Sequence, residues 1–440
     1  MPEHRLSLQK AKRYFMSKYL ILISLDALNA KDHAIFKHLP VFQDFIEHGA
    51  YFPKVSPIYP SLTYPCHTSI ITGTLPKVHG IYNNEVPEPA KAPNHDWFWY
   101  ENDIQVPTLF DVAYVAGLTS AAVLYPVMAG SKSITYNFPE IFSNTGQSQL
   151  SLFWKYGSRC LLLDALRHAS KAKGKEQPYL DHFSASLFKD ILRKRKPNLA
   201  ALHLTELDSA RHHHGTFSLE AKKALLSGAN RIEEIIWLTK EMGIYEETTF
   251  AIFGDHGFQD YHTAISFNRL LKDLGLLETD ANNKITAWKV YGASADGSLQ
   301  IHLKDPMDVK LQSRVEILID ALLELPEKPF KACYTRKEAK LRFQLDGPFS
   351  YVLEANDGYA FDPRILDHYL MPVSQIPDSY VATHGFLPTQ PNLKTTLLIK
   401  GPEIKAGVHL QEITLLDEAP TFAKILGLPW HTGKPLDVFM

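Results

Sequence analysis

The stretch YLILISLD, Tyr19 to Asp26, decides the fold. Its first seven residues are apolar except Ser24, and the eighth is a carboxylate. A strand with one wet face alternates apolar and polar residues. A near-continuous apolar run belongs to a strand covered on both faces, as in a parallel sheet between helices. The pattern recurs downstream, where apolar runs reach an acid within a few residues in LAALHLTELD (Leu199 to Asp208) and TTFAIFGD (Thr248 to Asp255). Open parallel sheets bind ligands beyond the carboxyl ends of their strands. Asp26, Asp208 and Asp255 therefore stand where ligand chemistry is expected.

Strand-like and helix-like segments alternate outward from this run. Phe42 to His48 reads as a helix before Gly49, and Val106 to Ala116 as a helix ending at Gly117. Thr119 to Tyr125, Asn198 to Leu204, Thr248 to Phe253 and Thr395 to Ile399 read as strands. Ser218 to Met242 reads as a long helix with Gly228 inside it, and the helix Asp417 to Leu426 closes the chain. This alternation predicts an α/β fold with a mostly parallel sheet sandwiched by helices. Two segments interrupt it. Asn137 to Pro197 is irregular, then helical and basic, which fits solvated helix faces. Gly257 to Thr383 carries short alternating strands (SLQIHL, FSYVLEA) and a helix near Val309 to Leu325, as in a smaller α+β insertion hanging over the site. The expected organisation is an extension over residues 1–17, a catalytic domain over 18–256 and 384–440, and an inserted subdomain over 257–383.

Composition narrows the function classes. The chain has 440 residues, 45% apolar and 21% charged, with formal net charge -2. No basic excess points to a nucleic-acid polymer, and no like-charge block marks a tail. Three cysteines, Cys66, Cys160 and Cys333, include no CxxC pair, so neither a disulfide framework nor a thiolate metal site is suggested. The apolar run Tyr19 to Leu25 is too short to span a membrane and lacks a small-residue cleavage site. A cytoplasmic protein without membrane contact is the expectation.

Seven metal-competent side chains fall in five segments: Asp26, Thr63 (in YPSLTYPCH), Asp208 with His212, Asp255 with His256, and His384 (in VATHGF). Asp208 and His212, at i and i+4, face the same way on a helical turn and can grip one ion. Alone, a His-rich surface turn explains them better, since His213 and His214 follow. Asp255-His256 after a buried strand, before a flexible Gly257, is more specific. Asp26 can equally cap the next turn, and a lone loop histidine such as His384 is more often solvated. Thr63 precedes Pro65, and Gly73 follows, which suits a helix with Thr63 at or just before its N-terminus. The helix dipole there favours an anion such as phosphate. Metal coordination can activate a hydroxyl as a nucleophile. Cys66 reads as a small packing residue, and His67 has no evident orienting partner. Together, the seven groups supply two ions with N/O ligands and leave one hydroxyl to attack, the pattern of a two-metal hydrolase.

The order Asp, Thr-x-Pro-x-His, Asp-x3-His, Asp-His-Gly and His-Gly resembles the alkaline phosphatase superfamily. Within it, YPSLTYPCHTSIITGTLPKVHGIYNN (Tyr59 to Asn84) is similar to the nucleophile segment of the type I phosphodiesterase/nucleotide pyrophosphatase family. The resemblance covers about Lys18 to Phe258 and His384 to Leu436. It implies an alkaline phosphatase-like fold and two zinc ions, with manganese an alternative. Asp208, His212 and His384 would hold one zinc, and Asp26, Asp255 and His256 the other. Thr63 would bridge to the second ion and form a phospho-threonine intermediate, and Asn84 would bind a phosphoryl oxygen. Two ions about 4 Å apart would clamp an in-line displacement. The implied substrate is a small phosphate ester or nucleotide, cleaved at a phosphodiester or phosphoanhydride bond. The chain departs from the family in having Cys66 where Asn is frequent and Arg211 where Gly is frequent.

Four rival functions are considered, of which the first fails. A sulfatase needs Cys-x-Pro-x-Arg, which Cys66-His67-Thr68-Ser69 does not supply. A phosphonoacetate hydrolase-like enzyme uses the same metals and threonine. A phosphomonoesterase needs a cation beside Thr63 for the extra charge, for which Lys54, Lys77 and Arg211 are candidates. A non-catalytic metal-binding protein would be expected to lack one of the seven groups. The aromatic segment NHDWFWYEND (Asn94 to Asp103) is expected either to pack on the core or to stack a flat leaving group.

Overall fold

A computed structural model describes residues 17–92, 94–143, 147–390, 392–409 and 412–440. The extension expected over 1–17 lies outside them apart from Ser17, which is buried and donates its hydroxyl to Glu403 Oε2 at 2.7 Å. Six strands build most of a nine-stranded sheet: β1 (Tyr19–Leu25), β2 (Ala50–Ser56), β3 (Ser120–Val123), β4 (Tyr136–Phe138), β5 (Leu199–Leu204) and β6 (Thr248–Phe253). β1 is central, parallel to β5 on one side and β6 on the other. β3 pairs parallel with β5 and β4. The strand Thr395–Lys400 runs antiparallel between β6 and β2.

Every residue of β1, β5 and β6 is buried. Alternate side chains leave a strand on opposite faces, so β1 feeds two cores. Leu20 and Leu22 join Ile70, Ile71 and Phe422 on one side. Ile21 and Ile23 join Phe188, Ile232 and Ile235 on the other. Each such side chain contributes roughly 1.5–3 kcal/mol by leaving water. The helix Leu219–Glu241 starts at Ser218, whose hydroxyl accepts the Ala221 N–H at 3.1 Å. Gly228 inside it lets the helix approach β1, because a Cβ there would lie 3.0 Å from Leu25 Cδ2. The helix read over Val106–Ala116 spans only Leu109–Val115, because Thr108 and Asp111 close a capping box that sets its start.

The two interruptions take definite form. Helices Gln149–Tyr156, Leu162–His168 and Tyr179–Arg195 occupy the basic segment. Its cations are partly paired there, Lys194 with Asp164 at 2.6 Å and Lys189 with Glu234. Beyond β6, Val290–Ala295, Ser298–Leu303, Tyr351–Ala355 and Phe330–Thr335 form an antiparallel sheet. The helix Val309–Leu323 contributes Val315 and Ile319 to the core it shares with Leu299, Ile301 and Leu353. A second small sheet is built on Gln259–Ile265. The short strand Ala382–Thr383 pairs antiparallel with its first residues, Ala382 opposite Asp260 and Thr383 opposite Gln259. That pairing returns the chain to the carboxyl end of β6 and delivers His384 beside Asp255 and His256.

Candidate active site

The helix Thr63–Thr72 is buried along its whole length and begins at Thr63. Pro65 lies in its first turn, where a missing N–H costs nothing. Thr63 thus occupies the first helical position, with the positive end of the dipole around it. Its Oγ1 is 3.1 Å from His256 Nε2. The Tyr64 N–H donates to Asn84 Oδ1 at 2.9 Å, and the Asn84 N–H donates to Asn83 Oδ1 at 2.7 Å. With its oxygen engaged, the Asn84 amide keeps Nδ2 as its available donor. Thr63, Tyr64 and Asn84 line a cavity of about 610 Å³.

Two groups of possible ligands stand at this cavity. Asp26, Asp255 and His256 bring their donor atoms within 4.8 Å of one another, and so do Asp208, His212 and His384. The groups adjoin, since the His256 and His384 rings stack with centroids 3.9 Å apart. Backbone contacts fix most of these side chains. The Ala27 N–H donates to Asp255 Oδ1 at 3.0 Å. The three histidines share one arrangement: Nδ1 meets a carbonyl oxygen, of Ala382 for His212 (3.0 Å), Gly257 for His256 (3.2 Å) and Ser61 for His384 (3.2 Å). A carbonyl only accepts, so each Nδ1 carries the proton and each Nε2 presents a lone pair. This is how metal-binding histidines are oriented. Gly257 matters here for space rather than for an unusual bend, since a Cβ would lie 2.0 Å from the Asn392 carbonyl oxygen.

The electrostatics agree with a cation site. Asp26 Oδ1, Asp208 Oδ1 and Asp255 Oδ2 are buried without a hydrogen-bond partner among the described residues. Such orphaned oxygens are costly unless a cation compensates them. Burial, with the charges of Asp255 and Asp208, pushes the Asp26 carboxyl well up. Burial pushes Asp208 up to about 7, although His256 opposes it. Burial also raises Asp255, but His256, His67 and the Ala27 N–H outweigh it and hold this acid below the usual range. Burial lowers His212 to about 4, takes His384 well below its ordinary value and lowers His256. Neutral imidazoles and oxygen donors without sulfur fit zinc or manganese.

A further layer lies beneath the ligands. His203 of β5 donates from Nδ1 to the Leu124 carbonyl at 3.0 Å, and its Nε2 is 3.1 Å from Asp26 Oδ2. With a carbonyl on one side and a carboxylate on the other, both ring nitrogens donate. Burial opposes that charge, but Asp26 and Glu140 raise the His203 pKa well above its ordinary value. His67 has the orienting partners that the sequence did not reveal: Nδ1 donates to the Thr63 carbonyl at 2.9 Å, 3.4 Å from Asp255 Oδ2, and Nε2 meets Ser24 Oγ at 2.8 Å. His203 escaped the sequence reading because it sits inside an apolar strand. The available signal was register: Ser24 and His203, the polar residues of β1 and β5, lie opposite each other.

The remaining candidates separate clearly. Trp97 and Trp99 line the cavity and stack 5.6 Å apart, whereas Phe98 packs in the core, 5.3 Å from Tyr82. Cys66 is fully buried, and burial raises its thiol pKa. None of the three cations considered for a monoester lines the cavity. Arg211 is buried against Asp32 at 2.5 Å, Lys77 is exposed and bonds Gln344 at 3.2 Å, and Lys54 is exposed on β2. The inserted segment contributes Ser294, Asp296, Asp362, Arg364 and Tyr380 to the lining, none of them distinguishable in the sequence.

Comparison with known proteins gives the family and the fold. Residues 20–386 match the family model described as type I phosphodiesterase/nucleotide pyrophosphatase. Ectonucleotide pyrophosphatase/phosphodiesterase family member 1 of Rattus norvegicus is 27% identical over 283 residues, covering 64% of this chain and 28% of that protein. The chain thus spans under a third of that relative's length. A bis(5'-adenosyl)-triphosphatase of Bos taurus is 22% identical over 425 residues, covering 94% of this chain and 79% of the relative. The solved structure of human ectonucleotide pyrophosphatase/phosphodiesterase 5 superposes with a TM-score of 0.66 at 16% identity, covering 95% of this chain and 97% of that one. Its murine counterpart, captured as an inactive variant with AMP, has the same TM-score and identity, covering 94% and 97%.

Proposed function

Because the chain belongs to the type I phosphodiesterase/nucleotide pyrophosphatase family, we propose that it is a two-zinc hydrolase cleaving phosphodiester or phosphoanhydride bonds of small substrates. A nucleotide or another small phosphate ester is the substrate class, not a nucleic-acid polymer. The observation that carries this reading is the Thr63 hydroxyl, 3.1 Å from His256 Nε2 at a helix N-terminus, beside two adjoining N/O triads. Asp208, His212 and His384 would hold one ion, and Asp26, Asp255 and His256 the other. Bound there, the ions would supply Lewis acidity and lower the pKa of the Thr63 hydroxyl.

The chain's own groups do the rest. Thr63 Oγ attacks phosphorus as its proton passes to solvent, the bond to the leaving oxygen breaks and that oxygen takes up a proton from water, and a phospho-threonine ester forms; water then cleaves the P–O bond of the ester and the Thr63 oxygen regains its proton. Asn84, held by the Tyr64 N–H, donates from Nδ2 to a phosphoryl oxygen as charge grows on it. The helix dipole favours the same charge. His203 supports Asp26, and His67 supports both Asp255 and the Thr63 carbonyl. Lys54, Lys77 and Arg211 lie off the cavity lining, whereas Lys175 and Arg364 lie on it, Arg364 paired with Asp362 at 2.7 Å, so the preference between diester and monoester is decided by the assay below.

A cytoplasmic location belongs to this proposal, supported by three unpaired cysteines; cell fractionation tests it. Among the described residues no helix is long and apolar enough to cross a membrane. The test of function uses one zinc-loaded preparation on bis-p-nitrophenyl phosphate, p-nitrophenyl phosphate, the p-nitrophenyl ester of thymidine 5'-monophosphate and phosphonoacetate. Preference for a diester is expected. Preference for the monoester or the phosphonate would overturn the substrate class. In parallel, Thr63→Ala is expected to remove about 10⁴-fold or more of kcat, as loss of a hydroxyl nucleophile does elsewhere, with metal content unchanged.

A further inference from the structure

The two triads stand on different parts of the chain, and a buried polar relay joins them from behind. Arg211 lies between Asp208 and His212 on the helix Glu206–His214, only 1% exposed. Its Nη2 donates to Asp32 Oδ2 at 2.5 Å. Nε and Nη1 are buried without a hydrogen-bond partner among the described residues, so Asp32 fixes which way the guanidinium faces. The same Asp32 oxygen accepts the Asn29 N–H at 2.8 Å. Asn29, fully buried and three residues past Asp26, donates from Nδ2 to the Asn392 carbonyl. That carbonyl also accepts the N–H of Phe258, two residues past His256, at 3.1 Å. The relay therefore runs from the helix carrying Asp208 and His212, through the turn after Asp26, to the loop carrying Asp255 and His256.

We infer that the Arg211–Asp32 pair is a positioning strut that sets the separation and orientation of the two triads. The physical need is plain. Three carboxylates with orphaned oxygens repel one another, and two bound cations would repel as well, so the elements bearing them require a brace on the far side. The helix Glu206–His214 packs on the helix Leu219–Glu241 and meets the strand Ala382–Thr383 through His212, but neither contact ties it to the turn after Asp26, and Arg211 supplies that tie through Asp32. Truncating one member of a buried ion pair leaves the other charge uncompensated, whereas replacing both by apolar groups is often neutral for stability. That asymmetry lets a structural role be separated from a positioning one.

The inference rests on the two-metal reading, and the experiment distinguishes the two. Zinc is titrated into metal-free full-length protein against a chromophoric chelator, and the visible spectrum of the cobalt-loaded protein is recorded. The variants are the double change Arg211→Met with Asp32→Asn, whose amide oxygen can still accept the Asn29 N–H, and Arg211→Lys, which keeps the charge but loses the planar donor fork. Expected for the double variant are a Tm near wild type, an unchanged first equivalent of zinc, a second bound about 10–100-fold more weakly, and an altered cobalt spectrum. Arg211→Lys moves both readouts the same way by less, and it carries the test alone should the double variant fail to fold. Wild-type affinity and spectrum in the folded variants overturn the strut and leave an ordinary core ion pair. Wild-type protein that binds fewer than two ions overturns the two-metal reading and the strut with it.

Discussion

The two triads have similar donor chemistry and very different support. Asp26, Asp255 and His256 are 5%, 0% and 0% exposed at the side chain, and they follow β1 and β6, which pair directly. Asp208, His212 and His384 are 18%, 11% and 4% exposed. They come from a helix and from a segment that returns only after the inserted residues. One site is an outgrowth of the sheet; the other is assembled from parts that must each be held. The difference teaches that equal ligand sets need not be equally durable, because durability comes from what the ligands are anchored to.

Four experiments break or sharpen that contrast. Exhaustive chelation is expected to abolish turnover in two phases, the ion at Asp208, His212 and His384 leaving first; metal analysis between the phases checks this, and simultaneous release of both ions erases the contrast. Asn84→Ala touches neither triad, and it should lower kcat about 10²–10³-fold with both ions retained, as steady-state kinetics with metal quantification will report. Asp255→Ala should destabilise the metal-free protein by about 1–3 kcal/mol, because the Ala27 N–H loses its buried acceptor. Asp208→Ala should leave it nearly unchanged, and denaturant unfolding of the two variants gives the comparison directly. Trp97→Ala is the mildest change: loss of a stacking surface worth about 0.5–1.5 kcal/mol should raise KM for the nucleotide ester several-fold and spare bis-p-nitrophenyl phosphate. Equal effects on both substrates would assign Trp97 to packing.

The sheet-borne half of the molecule was legible because buried parallel strands leave continuous apolar runs, and Asp26 and Asp255 sit directly after them. Thr63 was legible through Pro65 and Gly73, although the helix begins at Thr63 rather than at the proline. His384 was not legible from periodicity. Its place depends on the pairing of Ala382–Thr383 with Gln259–Asp260, a contact across more than a hundred residues that no local pattern encodes. His203 and His67 were hidden for a different reason: a buried histidine inside an apolar segment looks like packing until its partners are seen. Asp296 and Arg364 reach the cavity from the inserted segment, where alternating strands announce a sheet but not which end faces the site. Arg211 looked like a possible phosphate ligand by composition, and Asp32 turns it away.

The orphaned oxygens of Asp26, Asp208 and Asp255 carry one more consequence. Ions bound there would be ligands of the folded chain alone, and a thousandfold excess over Kd would add about 4 kcal/mol to folding. Domains of ordinary stability have only about 5–15 kcal/mol in total. On the proposed metal reading, the survival of this protein against proteolysis would then depend on the free metal around it.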